Sequence, residues 1–181
     1  MDMSEEERTA ILETFSQHER RELRFHWELW ARSRQLAPPG DWRIWLICAG
    51  RGFGKTRAGS EWIRQVARQD GSARIALVGA TLPEVRAVMV EGESGILACC
   101  PPHFAPRYEP SLRRLIFPNG AMATLYSAGE PETLRGPQHS HACGPGTKRI
   151  LRKRGARSRG CLASSRREGH RRISARNICR R

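Results

Sequence analysis

The spacing of apolar and polar positions divides the chain into short, separate elements. Ile11, Leu12 and Phe15 share one face of a helical pattern behind Ser4-Glu-Glu-Glu7, a capping-box sequence in which the serine accepts from a backbone N–H and Glu7 reaches back. The pattern predicts a helix that continues through RRELRFHWELWAR and stops before Pro38-Pro39-Gly40, since a residue ahead of proline disfavours the helical region. Trp27 and Trp30, three apart, face one way as core or docking residues. Residues 43–49, RIWLICA, are an apolar run ending at glycines, which predicts a buried parallel strand. Helical spacing follows over 55–68 (Ala58, Trp62, Val66), and a second strand over 74–80, RIALVGA. A helix opens at Thr81 with Pro83 and Glu84 in its first turn, where a missing N–H is harmless and a carboxylate meets the positive end of the helix. Runs at 113–117 and 121–126 flank Pro-Asn-Gly, a hairpin turn because Asn and Gly tolerate positive φ. Strand, helix, strand, helix predicts an α/β domain with a mostly parallel sheet and flanking helices.

A chain of 181 residues with 39% apolar content has enough material for one domain with a core. Its apolar runs fall far short of the roughly 18 residues a membrane span needs. The acidic start, MDMSEEERTA, lacks a basic region followed by an apolar stretch, so a cytoplasmic protein with no membrane partner is expected. The six cysteines form no CxxC pair, and thiols in that compartment stay reduced. His139, His141 and Cys143 alternate, but no fourth ligand lies at a suitable spacing for zinc.

The net charge of +14 suggests a polyanion as partner until its location is considered. Residues 1–141 hold 18 Lys and Arg against 17 Asp and Glu, a net of +1, whereas 142–181 hold 14 against Glu168 alone, a net of +13. The basic stretch has lost apolar periodicity and cannot bury enough surface to offset its chain entropy, so it is expected to be a disordered Arg-rich tail that binds polyanions nonspecifically. The predicted organisation is a helical segment over 1–40, a partial domain over 41–141 and the tail over 142–181.

Candidate chemistry sits in Ala49-Gly-Arg-Gly-Phe-Gly-Lys-Thr56, directly after a predicted strand and before a predicted helix. This is the setting of a phosphate-binding loop. Gly50, Gly52 and Gly54 let consecutive N–H groups turn into one concavity, and the helix start adds partial positive charge. Lys55 would reach the β- and γ-phosphates of ATP, and the Thr56 hydroxyl would ligate Mg²⁺. Ala49 stands where the strictest pattern has glycine, and Phe53 completes the loop. Arg51 is either a solvated charge or a further phosphate contact. The alternative is a glycine-rich turn that caps the helix and binds nothing.

Three blocks, PPGDWRIWLICAGRGFGKTRAGSEWI, ALVGATLPEVRAVMVEGESGIL and LIFPNGAMATLYSAGEPETLRGPQH, resemble in order the ATPase half of the large terminase subunit of tailed bacteriophages and gene transfer agents. The resemblance runs from about Trp27 to His139. It implies a P-loop NTPase fold and an ATP-driven motor that docks on a portal protein, works with a small terminase subunit, pumps double-stranded DNA and cuts it with a C-terminal nuclease. Gly50 to Thr56 match the Walker A loop, Arg51 matches its frequent arginine, and Gln35 lies where such proteins often contact adenine.

The pattern then breaks. Hydrolysis needs an apolar strand ending in Asp-Glu, one carboxylate holding Mg²⁺ and the other directing the attacking water. The family places it shortly after LRGPQH, yet this chain reads SHACGPGTKRILRKR, and no acidic residue follows Glu132 until Glu168. The expectation is an incomplete ATPase domain, without Walker B or nuclease, inactive alone and marginally folded. Back-translating from Cys143 and starting two bases later permits Trp-Ala-Gly-Asp-Glu-Ala, which points to a reading-frame slip; a gene whose shifted frame holds no Asp-Glu excludes it. Two other readings stay open: a nucleotide-binding domain with a nucleic-acid-binding tail, and a different P-loop enzyme using Asp70 or Glu84. Glu130 and Glu132 fit a solvated loop better than replacement catalytic carboxylates.

Overall fold

The computed structural model describes residues 4, 6, 10, 13–40, 42–145 and 160–165. The pairing of Ser4 with Glu7 therefore lies outside the described residues. A capping box does form twelve residues later: Ser16 N donates to Glu19 Oε2 at 2.8 Å and Ser16 Oγ accepts from Glu19 N at 3.3 Å. It opens α1 (Gln17–Leu23), and the chain then breaks into α2 (Trp27–Trp30) and a 3₁₀ turn at Ser33–Gln35. The predicted continuous helix is thus corrected to short pieces. Ser16 is extended (φ −61°, ψ 161°) and its side chain competes for the backbone donors of the turn it begins. Trp30 is exposed and donates from Nε1 to Leu23 O at 2.7 Å, while Trp27 is half-buried beneath the Arg57 guanidinium.

Six further segments form where their patterning implies, with α5 and β3 added between them. Strand β1 is Ile44–Cys48, followed by α3 (Lys55–Gln69), β2 (Arg74–Gly79) and α4 (Leu82–Glu84). Thr81 caps α4, its Oγ1 accepting from Glu84 N at 3.3 Å, and the chain runs on as a π-helical turn over Val85–Val90. There the Glu91 N–H reaches back five residues to Arg86 O. A Cβ on Gly79 would collide with Val85, so glycine lets this turn seat on the end of β2. After α5 (Ile96–Cys99) come β3 (Arg107–Glu109), β4 (Arg114–Ile116) and β5 (Met122–Ser127). The β4–β5 hairpin turns at Pro118-Asn-Gly120 with Gly120 at φ +96°, and Asn119 Nδ2 donates to Ala67 O at 2.6 Å, pinning the turn to α3.

Two more strands, β6 (His141–Pro145) and β7 (Gly160–Ser165), complete a sheet of order β1-β7-β6-β2-β5-β4-β3. Strand β2 is parallel to β5 and β6, but the other four pairings are antiparallel. The α/β class holds, and the mostly parallel sheet is corrected to a mixed one. Strand β1 is likewise not the buried parallel strand expected of its composition. It pairs antiparallel with β7 at the sheet margin, and only Ile47 in it is buried. Of the segment expected to be a disordered tail, residues 142–145 and 160–165 fall in β6 and β7, whereas 146–159 and 166–181 lie outside the described residues. Residues 160–165, GCLASS, are an uncharged window between arginines, free to supply backbone donors and acceptors to both neighbours.

The core lies between one sheet face and α3 with the π turn. Ile75 and Leu77 of β2, Ala123 and Leu125 of β5, and Leu115 meet Ile63, Val66, Val85 and Val90. Each fully buried Val, Leu or Ile side chain among them contributes about 1.5–3 kcal/mol through removal from water.

Candidate functional site

Strands β1, β6, β2 and β5 all run in one direction, so their carboxyl ends share one edge of the sheet. In α/β sheets that edge is where loops approach ligands. Here it carries the 49–54 loop after β1, the Ala80–Thr81 turn after β2 and the Ala128–Glu130 turn after β5. The last two are tied together, with Ser127 Oγ donating to Ala80 O at 3.0 Å and Ala128 N to Gly79 O at 2.7 Å.

The loop turns on two left-handed residues, Gly52 (φ +79°) and Gly54 (φ +85°), whereas Gly50 has ordinary φ and open space around it. Gly54 is the N-cap of α3, without a side-chain cap, so the first-turn N–H groups of a 15-residue helix face outward from the loop end. Lys55 is half-buried and folds back across the loop, its Nζ donating to Ala49 O at 2.9 Å and to Gly50 O at 2.6 Å. Thr56 is half-buried beside it and Arg51 is exposed. Gln35 approaches from the 3₁₀ turn: its Nε2 donates to Phe53 O at 2.6 Å and its Oε1 accepts from Arg32 N at 2.8 Å. All nine residues singled out in the sequence therefore occupy one corner of the fold. An ammonium held only by loop carbonyls, beside an uncapped helix start, suits a phosphate in charge and donor supply.

The carboxylates considered as catalytic partners do not converge on this corner. Asp70 caps the far end of α3, accepting from Ser72 N and Oγ at 2.8 and 2.6 Å. A helix of that length places it about 22 Å from the loop. Glu84 is exposed in the first turn of α4, and Glu130 and Glu132 are exposed around the 3₁₀ turn Pro131–Leu134, with Glu132 paired to Arg135 at 2.8 Å. Their strand lies four places from β1, about 19 Å at ordinary strand spacing. Strand β6, next to β2 along this edge, ends in Cys143-Gly144-Pro145 and brings no carboxylate. His139 and His141 diverge, the first edge-on to Tyr126 with centroids 5.1 Å apart and the second to Trp62 at 5.7 Å. Among the described residues no group of three or more His, Cys, Asp or Glu is placed to hold a metal ion.

The sequence reading missed a charged cluster one turn behind the loop. Glu61, 2% exposed, accepts from Arg57 Nε at 2.8 Å and lies 2.8 Å from Arg64 Nη2, which itself donates to Phe25 O. Arg64 Nη1 also donates to Cys99 O at 2.9 Å, so the cluster clamps the turn between α1 and α2, and the end of α5, onto α3. The i, i+4 and i, i+3 spacing of Arg57, Glu61 and Arg64 is the signal that could have found it.

Burial raises the Glu61 carboxyl above its ordinary value of 4.5, against the opposing pull of Arg64 and Arg57. The folded chain then binds this proton more tightly than the unfolded chain. The resulting stability is full below the unfolded pKa and is lost as pH rises through the folded one. Relative to a Glu61→Gln variant, wild-type stability in urea unfolding is expected to decline as pH rises past the ordinary carboxylate value of 4.5. A difference that is level, or that grows with pH, contradicts this.

The sequence of residues 46–143, from inside β1 to inside β6, matches the family model described as terminase large subunit, T4likevirus-type, N-terminal. No curated protein and no solved structure matches the chain. Among the described residues no helix is long and apolar enough to cross a membrane.

Proposed function

With more than half of its residues inside that match, the chain belongs to the terminase large subunit family, and we propose that its 49–56 loop is the ATP site of a DNA-packaging motor subunit. The observation that carries the reading is the position of Lys55: its ammonium bridges Ala49 O and Gly50 O at the carboxyl edge of the sheet, beside the free start of α3. In this reading Lys55 exchanges those carbonyls for the β- and γ-phosphate oxygens, and the loop and helix N–H groups receive the rest of the triphosphate. The Thr56 hydroxyl would hold Mg²⁺, which would neutralise phosphate charge there. Arg51, exposed on the loop, adds a cation that can swing onto the same anion. The partners of this reading are double-stranded DNA, a portal protein and a small terminase subunit.

We read the chain as a holder of ATP that does not hydrolyse it alone. No acidic residue stands between Glu132 and Glu168, and β6 brings no carboxylate to the loop, so among the described residues no carboxylate is placed to direct water at the γ-phosphate. The test is calorimetric titration of the chain with Mg·ATP beside a phosphate-release assay. Saturable binding with turnover no faster than a buffer control is expected. Robust Lys55-dependent turnover refutes the second part, and absent binding refutes the first. Retention on DNA does not decide the matter, because a segment of net charge +13 holds any polyanion with steep salt dependence.

A further inference from the structure

The Gln35 side chain is 8% exposed and both of its polar atoms are occupied within the protein. Its acceptor is taken by the Arg32 N–H at the head of the Ser33–Gln35 turn, and its donor by the Phe53 carbonyl at the head of α3. Each atom keeps one further hydrogen-bonding position, a second N–H and a second lone pair, on a side chain that the protein almost wholly covers.

The captured carbonyl matters because of the peptide that follows it. Every peptide bond among the described residues is trans, so the Phe53 C=O and the Gly54 N–H point in opposite directions from one rigid plane. Holding the carbonyl toward Gln35 turns the Gly54 N–H to the other side. Gly54 is also where the backbone is least constrained by itself, a glycine at φ +85°. A Cβ there would stand 2.7 Å from Gln35 Nε2, so the contact requires glycine for space as well as for φ.

We propose that Gln35 is a positioning residue that sets the Phe53–Gly54 peptide so that the Gly54 N–H serves as a fixed phosphate donor. The inference rests on the reading of 49–56 as a triphosphate site. It also gives the segment before β1 a role in that site: α2 and the 3₁₀ turn hold the loop's shape by way of one amide.

The test uses the full chain with Mg²⁺ and three ligands, ATP, GTP and inorganic tripolyphosphate, against Gln35→Ala and Gln35→Met. The methionine variant keeps side-chain length and neutrality while removing the donor, so the turn stays seated if packing alone holds it. Both variants are expected to lose roughly tenfold in affinity, about one hydrogen bond, and by the same factor for all three ligands. A loss confined to ATP, with tripolyphosphate unaffected, assigns Gln35 to the base and overturns the proposal, as does unchanged affinity for all three. If the wild-type chain binds none of them, the triphosphate reading itself fails, before Gln35 enters.

Discussion

Lys55→Ala is expected to weaken Mg·ATP binding by about 30- to 100-fold, the range set by losing a hydrogen-bonded pair between full charges. The Lys55 ammonium is half-buried and held by two neutral carbonyls, Ala49 O and Gly50 O, which stabilise a cation less than phosphate oxygens do. Exchange of those partners is therefore favourable, and the alanine variant forfeits it. The fold should barely register the change. The two hydrogen bonds lie within a surface loop, and alanine suits the first turn of α3. A thermal melt should thus stay within a few degrees of wild type while calorimetric affinity collapses. Equal affinity for the two proteins contradicts the site, and joint loss of affinity and melting temperature assigns Lys55 to the fold instead.

Much of this frame is written in local pattern. The hairpin is specified by Pro118-Asn119-Gly120, the start of α4 by Thr81 with Pro83 and Glu84, and α3 by apolar residues at helical spacing. Each depends on residues within one or two turns of each other, so periodicity captures it. Most of the errors concern partners distant in sequence. Strand β1 has the composition of a buried strand, yet its pairing comes from residues more than a hundred positions later. The β7 window is nearly silent on its own, six uncharged residues among arginines, because a strand between two others gains from backbone pairing that composition does not encode. The Gln35 contact with Phe53 spans 18 residues and joins a turn to a loop, which no periodicity anticipates. At the N-terminus two capping-box sequences compete, Ser4 with Glu7 and Ser16 with Glu19, and local pattern does not say that the second begins a new helix.

Truncation after Pro145 is expected to destabilise the domain by on the order of 5 kcal/mol, a large share of the roughly 5–15 kcal/mol typical of a domain. Among the described residues β7 is the one sheet neighbour of β1, matched over five residues from Ile44↔Ser164 to Cys48↔Gly160, and it pairs as many residues of β6. Its removal orphans the backbone of the strand that leads into the loop, and that strand end is what fixes the position of Ala49 and Gly50. Urea unfolding should show a lower midpoint, and Mg·ATP affinity should fall with it, unlike the isolated loss expected of Lys55→Ala. Charge acts the other way. The removed segment contains the whole excess of +13, and relieving that self-repulsion favours the folded state, so a falling midpoint understates the pairing. Leu162→Pro separates the two effects. It keeps every charge and deletes one backbone N–H in the middle of β7, opposite Leu46, where an interior strand tolerates proline poorly. A drop in midpoint for both variants assigns the stability to β7. If truncation raises the midpoint and the proline variant leaves it unchanged, β1 is held by the packing of its Trp45 on Trp42, which in turn meets Trp62, rather than by the strand beside it.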